Sequence, residues 1–278
     1  MNQVFSGREP ADKILSCISF QLNEILKNNS ARSPMFAIIQ IGDNAASNIY
    51  ISNKKRVAQE IGFDVLHHKF PEGTDVEYIK SVIYQLNEDD AVDGIIMQLP
   101  VPEQYKHLLY EIAWHKDIDG LGFVQQANLV LDKPGLRPCT PLGVIKMLEY
   151  YNIDFQKDAC VVGRSVLVGQ SLALMLMHRN ATVSVLHHKT HDISKYLARA
   201  DLIFLAAGKP GLVNSSMLKP DAVVIDIAIS SVDGKVVGDY EHFDQSDISY
   251  SRVPGGVGPM TIACLMSNVF QAYKANLQ

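Results

Sequence analysis

The sequence predicts an α/β chain of two lobes, each built on a parallel sheet, with a last helix that packs back on the first lobe. Three observations carry this. Short apolar runs alternate with amphipathic helical segments along the whole chain. The alternation is interrupted over 117–141, where Gly120, Gly122 and Gly135 mix with Pro134, Pro138 and Pro141. The final segment, 261–275, is amphipathic and has no strand after it. The expected division is 1–119 with 261–278 as one lobe and 120–260 as the other.

In order, 10–29 is expected as a helix with Pro10 at its first position. A strand at Met35–Ile41 ends at Gly42, and a helix at 45–61 is stopped by Gly62. A weaker strand at 65–70 and a helix at 75–88 follow, then a strongly apolar strand at 94–99 broken by Pro100 and Pro102. A helix at 141–151 bridges the lobes. Strands are then expected at 159–162, Thr182–Leu186, 201–207 and 222–227, with helices at 168–179 and 192–199.

Composition bounds the function. The chain has 278 residues, 47% of them apolar, enough for sizeable cores without disulfides or metals. A net charge of -5 argues against a nucleic-acid partner. Cys17, Cys139, Cys160 and Cys264 are scattered, so neither a metal site nor a disulfide framework is expected, and a reducing, cytoplasmic setting fits. No apolar run suits a signal peptide or a membrane span.

The strand at 159–162 runs into Gly163-Arg164-Ser165-Val166-Leu167-Val168-Gly169 and then a helix. A strand, a glycine turn and a helix start offer bare N–H groups to a phosphate, which marks the second lobe as Rossmann-like. The next strand ends in His187-His188-Lys189-Thr190, where an NAD-specific fold places an acid for the ribose. Cationic and donor groups there, with Arg164, suit a 2′-phosphate and so NADP.

In the first lobe, Tyr50 and Lys54 lie one helical turn apart on a stripe that continues to Val57 and Ile61. A lysine on such a stripe either lays its stem on the core and reaches water, or stays dry with a lowered pKa suited to proton transfer. Gln98 closes a strand at the end where open α/β sheets bind ligands. Lys116-Asp117-Ile118-Asp119-Gly120 sets two acids in one turn; a ligand N–H pair or an Asx turn accounts for either. Pro254-Gly255-Gly256-Val257-Gly258-Pro259-Met260-Thr261 permits close backbone approach to a ligand, or a hinge.

Taken together, the sequence resembles the bifunctional methylenetetrahydrofolate dehydrogenase/methenyltetrahydrofolate cyclohydrolase family. The matching pieces are Ser47-x-x-Tyr50-Ile51-x-x-Lys54, Asp93-Gly94-Ile95-Ile96-x-Gln98-Leu99-Pro100, 116–120, Arg137-Pro138-Cys139-Thr140-Pro141, Gly163-Arg164-Ser165-x-x-Val168-Gly169, Gly208-Lys209-Pro210-Gly211 and 254–261, in the family's order. The resemblance implies oxidation of 5,10-methylenetetrahydrofolate with NADP, then hydrolysis of the methenyl product to 10-formyltetrahydrofolate. It implies Lys54 as the catalytic lysine, Gln98 as its partner, Tyr50 packing near the folate and Asp119 anchoring the pterin. It implies Gly163, Arg164 and Ser165 on the NADP phosphates, His188 beside the 2′-phosphate, Ile229 along the nicotinamide, and Pro254, Gly255 and Gly256 on the substrate. A homodimer is implied as well.

The sequence departs from the family at Ser171 (usually proline), Gln125 and Ala127 (asparagine and glycine), His188 (serine), and in 226–230, which reads Asp-Ile-Ala-Ile-Ser. Ala228 adds a Cβ where the resemblance brings backbone close to the nicotinamide. The departures bear on the dehydrogenase, so a hydrolase with a weakened cofactor site is one alternative. A folate- or nucleotide-binding regulator without catalysis is the other.

Overall fold

The computed structural model describes residues 3–28, 31–242 and 247–277. Two compact units emerge. One holds the chain up to Asp12 together with Thr140–Cys264; the other holds Lys13–Cys139 and the chain from Leu265. The expected divisions at 119/120 and 260/261 differ from this partition, in which 120–139 belongs with the preceding residues.

The chain opens with β1 (Val4–Phe5) and α1 (Arg8–Asn28); residue 29, expected in this helix, lies outside the described residues. The unit containing Lys54 is then built from β2 (Met35–Ile41), α2 (Ala45–Glu60), β3 (Asp64–Phe70), α3 (Val76–Glu88), β4 (Gly94–Met97) and α4 (Phe123–Val130). Its three-stranded parallel sheet has the order β3-β2-β4. The central β2 is buried on both faces, with Phe36, Ala37, Ile38 and Ile39 fully covered, which is why it reads as an unbroken apolar run. Asn44 caps α2 by accepting the Ser47 N–H at 3.0 Å, and Gly62, at positive φ, follows its end. Asp75 caps α3 in the same way.

Charge pins the ends of this unit. Asp93, fully buried at the start of β4, accepts two hydrogen bonds from the Arg32 guanidinium (2.7 and 2.8 Å), one from the Met35 N–H (2.8 Å) and one from Asn276 (3.1 Å). Buried Lys116 donates to the Leu86 and Asp89 carbonyls, at 3.0 and 2.8 Å, and so satisfies the end of α3.

The segment 120–139 is less irregular than its glycines and prolines suggest. Buried Asp117 accepts the Gly120 and Gly122 N–H groups at 3.1 and 2.7 Å. Gln125, on α4, donates to the Trp114 carbonyl at 2.7 Å and accepts the Leu136 N–H at 2.9 Å. These bonds run to residues 114 and 117, and they hold the segment within its unit. The last part of the chain returns here: Asn268 donates to the carbonyls of Ile118 (2.8 Å) and Arg137 (2.9 Å), and the Tyr273 hydroxyl donates to Arg32 O at 2.7 Å.

The second unit contains α5 (Cys139–Tyr150) from its second residue, β5 (Asp158–Val162), α6 (Ser171–Met177), β6 (Thr182–Leu186), α7 (Ser194–Leu197), β7 (Leu202–Leu205), β8 (Val213–Asn214), β9 (Val223–Asp226), β10 (Ser230–Val232), β11 (Lys235–Val237), β12 (Tyr240–Glu241) and β13 (Ser249–Ser251). The chain closes with α8 (Val257–Asn276). The six-stranded sheet, β1-β13-β9-β7-β5-β6, is parallel throughout, with β5 between β6 and β7. This is a doubly wound Rossmann-like order that reverses at β5. The small β8/β12 and β10/β11 pairs were not expected; strands of two or three residues carry no readable alternation. Among the described residues, no helix is long and apolar enough to cross a membrane.

Two tests follow. Asp93→Ala leaves several buried donors without an acceptor and is expected to cost about 3 kcal/mol, read from urea unfolding. Burial raises the Asp117 carboxyl from its usual 3.8 to about 6. Between those values the folded chain holds a proton that the unfolded chain has lost, so this contribution is full below pH 3.8 and lost as pH rises through 6. The stability of wild type relative to Asp117→Asn is therefore expected to fall by about 2 kcal/mol from pH 4 to pH 7.

Candidate functional site

Helix α2 turns Ser47, Ile51, Lys54, Val57 and Ala58 inward. Lys54 is only 7% exposed, and its Nζ donates to Gln98 Oε1 at 2.9 Å; Gln98 is 9% exposed. Of the two fates open to this lysine, the dry one is observed. Gln98 directly follows β4. Its N–H donates to Ile39 O, and its side-chain Nε2 donates to Leu99 O at 2.7 Å. That second bond orients the amide so that its oxygen faces the amine.

The partner is neutral, so it offers the ammonium a dipole but no counter-charge. Burial pulls the Lys54 pKa down from 10.5; the charges of Asp119 and Cys139 oppose the shift without reversing it. Asp119 is pushed up by burial, against the charge of Lys54 and a hydrogen bond from the Cys139 thiol. The two acids of the 116–120 turn are thereby distinguished. Asp117 closes the turn through backbone N–H groups, and Asp119 shares its surroundings with Lys54. Tyr50, half-buried one turn before Lys54, has its phenol raised by burial.

Lys116 is the instructive contrast. It is as buried as Lys54 and also lowered, but its amine is taken by two carbonyls that end a helix. The structure separates a bracing lysine from one left facing an amide and a carboxyl.

Sequence reasoning passed over Cys139 and Asn268. Cys139 Sγ stands 3.4 Å from Ile118 O, and the Asn268 amide stands 3.5 Å from that sulfur. These residues brace the turn carrying Asp119. Their only signal was the position of Cys139 in the Arg137–Pro141 motif. Ser47 Oγ is buried, with no hydrogen-bond partner among the described residues.

In the other unit, Gly163, Arg164 and Ser165 stand at the carboxyl end of β5. Gly163 has φ +134°, and a Cβ there would lie 2.4 Å from Ala206 O. Gly169 approaches so closely that a Cβ would lie 2.1 Å from Gly163 O. Ser165 accepts the Val168 N–H at 3.2 Å and opens a π-helical turn, Val166–Gln170; α6 begins only at Ser171, not directly after the glycine turn as expected. Arg164 and Ser165 are exposed.

His188 and Lys189 are exposed in the turn after β6, which is closed by Thr190: its Oγ1 accepts the His187 N–H at 2.9 Å, and its own N–H reaches His187 O. Ile229 is 48% exposed beyond β9. Pro254, Gly255 and Gly256 belong to this same unit. There Gly255 O accepts the Gly7 N–H at 2.9 Å, and a Cβ on Gly7 would lie 1.8 Å from Gly256 O. Close approach at Gly256 is thus already made to the chain's own N-terminal segment. Among the described residues, no cluster of His, Cys, Asp and Glu is arranged to hold a metal ion.

Comparison with known proteins agrees with this division of labour. Residues 5–119 match the tetrahydrofolate dehydrogenase/cyclohydrolase catalytic domain, and residues 138–277 match the NAD(P)-binding domain of the same family. The chain is 38% identical to Bifunctional protein FolD of Acetivibrio thermocellus, over 98% of this chain and 97% of that protein. It is similar to the crystal structure of the bifunctional enzyme FolD, a methylenetetrahydrofolate dehydrogenase/cyclohydrolase, from Campylobacter jejuni (38% identity, TM-score 0.94, covering 99% of each chain). The Trypanosoma brucei N5,N10-methylenetetrahydrofolate dehydrogenase-cyclohydrolase, solved with NADP cofactor and inhibitor, is also similar (30% identity, TM-score 0.94, covering 100% of this chain and 99% of that one). A buried lysine against a glutamine in one unit, a glycine turn at the sheet reversal in the other, and both family domains in sequence give one conclusion: the chain belongs to the tetrahydrofolate dehydrogenase/cyclohydrolase family.

Proposed function

We propose that the chain oxidises 5,10-methylenetetrahydrofolate with NADP and then hydrolyses the methenyl product to 10-formyltetrahydrofolate, with Lys54 as the group that moves protons. The single observation that carries this is the Lys54 amine, held out of water 2.9 Å from the oxygen of a neutral amide.

In the first step a hydride leaves the methylene carbon with its electron pair, and the remaining cation is shared between the two flanking nitrogens. NADP, when bound, accepts that hydride. The residues fit such a dinucleotide: the β5 turn carries Gly163 where a side chain would strike Ala206 O at 2.4 Å, and Arg164 and Ser165 stand exposed beside it. His188 and Lys189, on a turn without an acid, favour a 2′-phosphate over a free ribose hydroxyl. Ile229 supplies an exposed apolar side chain for the nicotinamide. Pro254, Gly255 and Gly256 are assigned to the substrate.

In the second step water adds to the methenyl carbon. The Lys54 amine takes a water proton as the C–O bond forms. The carbon–N5 bond then breaks, its electron pair stays on N5, and Lys54 returns a proton there as the formyl carbonyl forms; one proton is released overall. A lysine at its ordinary pKa is protonated at neutral pH and cannot begin this cycle, so desolvation is what makes it a base. Gln98 fixes the amine without giving its ammonium form a counter-charge. Asp119 binds the pterin N–H groups, and Tyr50 packs on the folate. Homodimerisation, a cytoplasmic location and the absence of nucleic-acid or membrane partners belong to the same reading; the net charge of -5 supports the third.

The test is a paired assay of cofactor reduction and ring opening, with NADP and with NAD. Wild type is expected to show both activities and to prefer NADP. Ring opening without cofactor reduction would reduce the function to a hydrolase. Lys54→Ala and Lys54→Arg are each expected to lose ring opening by about 100-fold or more, the second because a guanidinium keeps its proton; hydrolysis at the wild-type rate in either would refute the role of the lysine. The wild-type rate is expected to rise with pH through the lowered pKa of Lys54 and then level. In Gln98→Glu, where a carboxylate stabilises the ammonium, that rise should move to higher pH.

A further inference from the structure

The Gly208-Lys209-Pro210-Gly211 motif has no part in the function argued so far, yet it stands at the reversal of the nucleotide sheet. It follows β7, the strand paired with β5 on the side away from β6. Residues 207–211 are exposed, but three successive N–H groups of this loop turn inward. Ala207 and Gly208 donate to Asp239 Oδ2 at 2.8 and 3.0 Å, and Lys209 donates to Asp239 Oδ1 at 2.6 Å. Asp239 is 1% exposed. Successive N–H groups converging on one anion form a nest of the kind that elsewhere holds phosphate. Here a carboxylate of the chain fills it.

Asp239 is itself fixed. Its N–H and that of Tyr240 donate to the two oxygens of buried Asp226, at 3.1 and 2.9 Å, and its carbonyl accepts the Val213 N–H at 3.1 Å. The loop is therefore anchored to one residue at both ends, through N–H groups at 207–209 and through Val213. Gly208 and Gly211 take φ of +67° and +65°, which lets the exposed stretch turn between those anchors.

A dinucleotide at a sheet reversal places its adenosine ribose beside the strand that carries the 2′-recognising group, which here is β6 with His188. The other half must then lie toward β7 and its loop. With the nest already filled, this loop has no free N–H cluster for the pyrophosphate, so that group falls to the β5 turn.

We propose that Asp239 is a positioning residue for the nicotinamide half of NADP: it fills the nest of the 207–209 backbone and thereby sets the Gly208–Gly211 loop as a wall of the dinucleotide site. The inference rests on the NADP assignment above and touches neither Lys54 nor the folate.

Asp239→Asn keeps the size of the side chain but replaces one acceptor oxygen with a donor facing N–H groups. NADPH affinity, read by the change in its own fluorescence on titration, is expected to weaken about tenfold or more. Affinity for 2′,5′-ADP, which carries only the adenosine half, should stay within about twofold by calorimetry. A folded variant with wild-type NADPH affinity, or with equal losses for both ligands, overturns the inference. Gly208→Val gives the same test with Asp239 intact. A Cβ at Gly208 meets nothing within 4 Å, so packing is unharmed, but a β-branched residue cannot hold φ near +67° and the loop must move. It is expected to show the same selective loss, and unchanged NADPH binding there also overturns the inference. If wild type binds neither NADPH nor 2′,5′-ADP, the cofactor assignment itself fails.

Discussion

The candidate site is arranged around the burial of one amine, that of Lys54. A lysine on an inward helical stripe is costly to bury charged; here burial lowers its pKa, the charge of Asp119 opposes that shift without reversing it, and the direct partner is a neutral amide. Gln98 is the residue type that allows this. A carboxylate at the same distance would hold the proton on; an apolar side chain would leave the amine free to seek water. The glutamine is held in turn by its bonds to Leu99 O and, through its backbone, to Ile39 O of the central strand. The geometry of the Lys54–Gln98 pair is thus inherited from β2, the central strand of its sheet.

The sequence and the structure agree where a signal is long and disagree where it is short. Seven-residue strands such as β2, and helices with a clear stop such as α2 ahead of Gly62, were legible because periodicity and turn chemistry point the same way. The nine-residue 3-10 helix Glu103–Glu111 and the short α4 were not, because Pro102 and the nearby glycines read as loop while tertiary bonds from Tyr105, Asp117 and Gln125 order the backbone. The division near 139 was also hidden. Composition changes at 117, but the bonds that decide where a segment belongs are made by single buried side chains.

The candidate site was legible as a set of residues and only partly as a set of roles. Spacing placed Tyr50 and Lys54 on one face but left the lysine free to be dry or wet; only the third dimension brings Gln98, 44 positions away, to its amine. Two acids two residues apart looked equivalent, and backbone N–H groups turn one into a strut. The departures from the family are similarly resolved by geometry. Ser171 is buried and its hydroxyl donates to Val166 O at 2.6 Å, closing the π turn where a proline has nothing to donate. Gln125 uses both ends of its amide. Ala228 donates its N–H to Leu205 O at 3.1 Å, so its backbone is tied to β7. Nothing in the structure explains Ala127.

The two units solve the problem of buried charge in opposite ways. Around Lys54 burial outweighs the compensation that Asp119 offers, and the pKa of the lysine is lowered. Around Asp239 the fold supplies three N–H donors, and the carboxyl group organises backbone. Asp226 receives two N–H groups beside a second carboxyl group, and burial lifts it to about 6. Sequence alone cannot rank such groups, since Asp117, Asp119, Asp226 and Asp239 are the same residue in short polar turns. What separates them is where the backbone N–H groups fall: Asp117, Asp226 and Asp239 are held by them, and Asp119 shares its surroundings with Lys54.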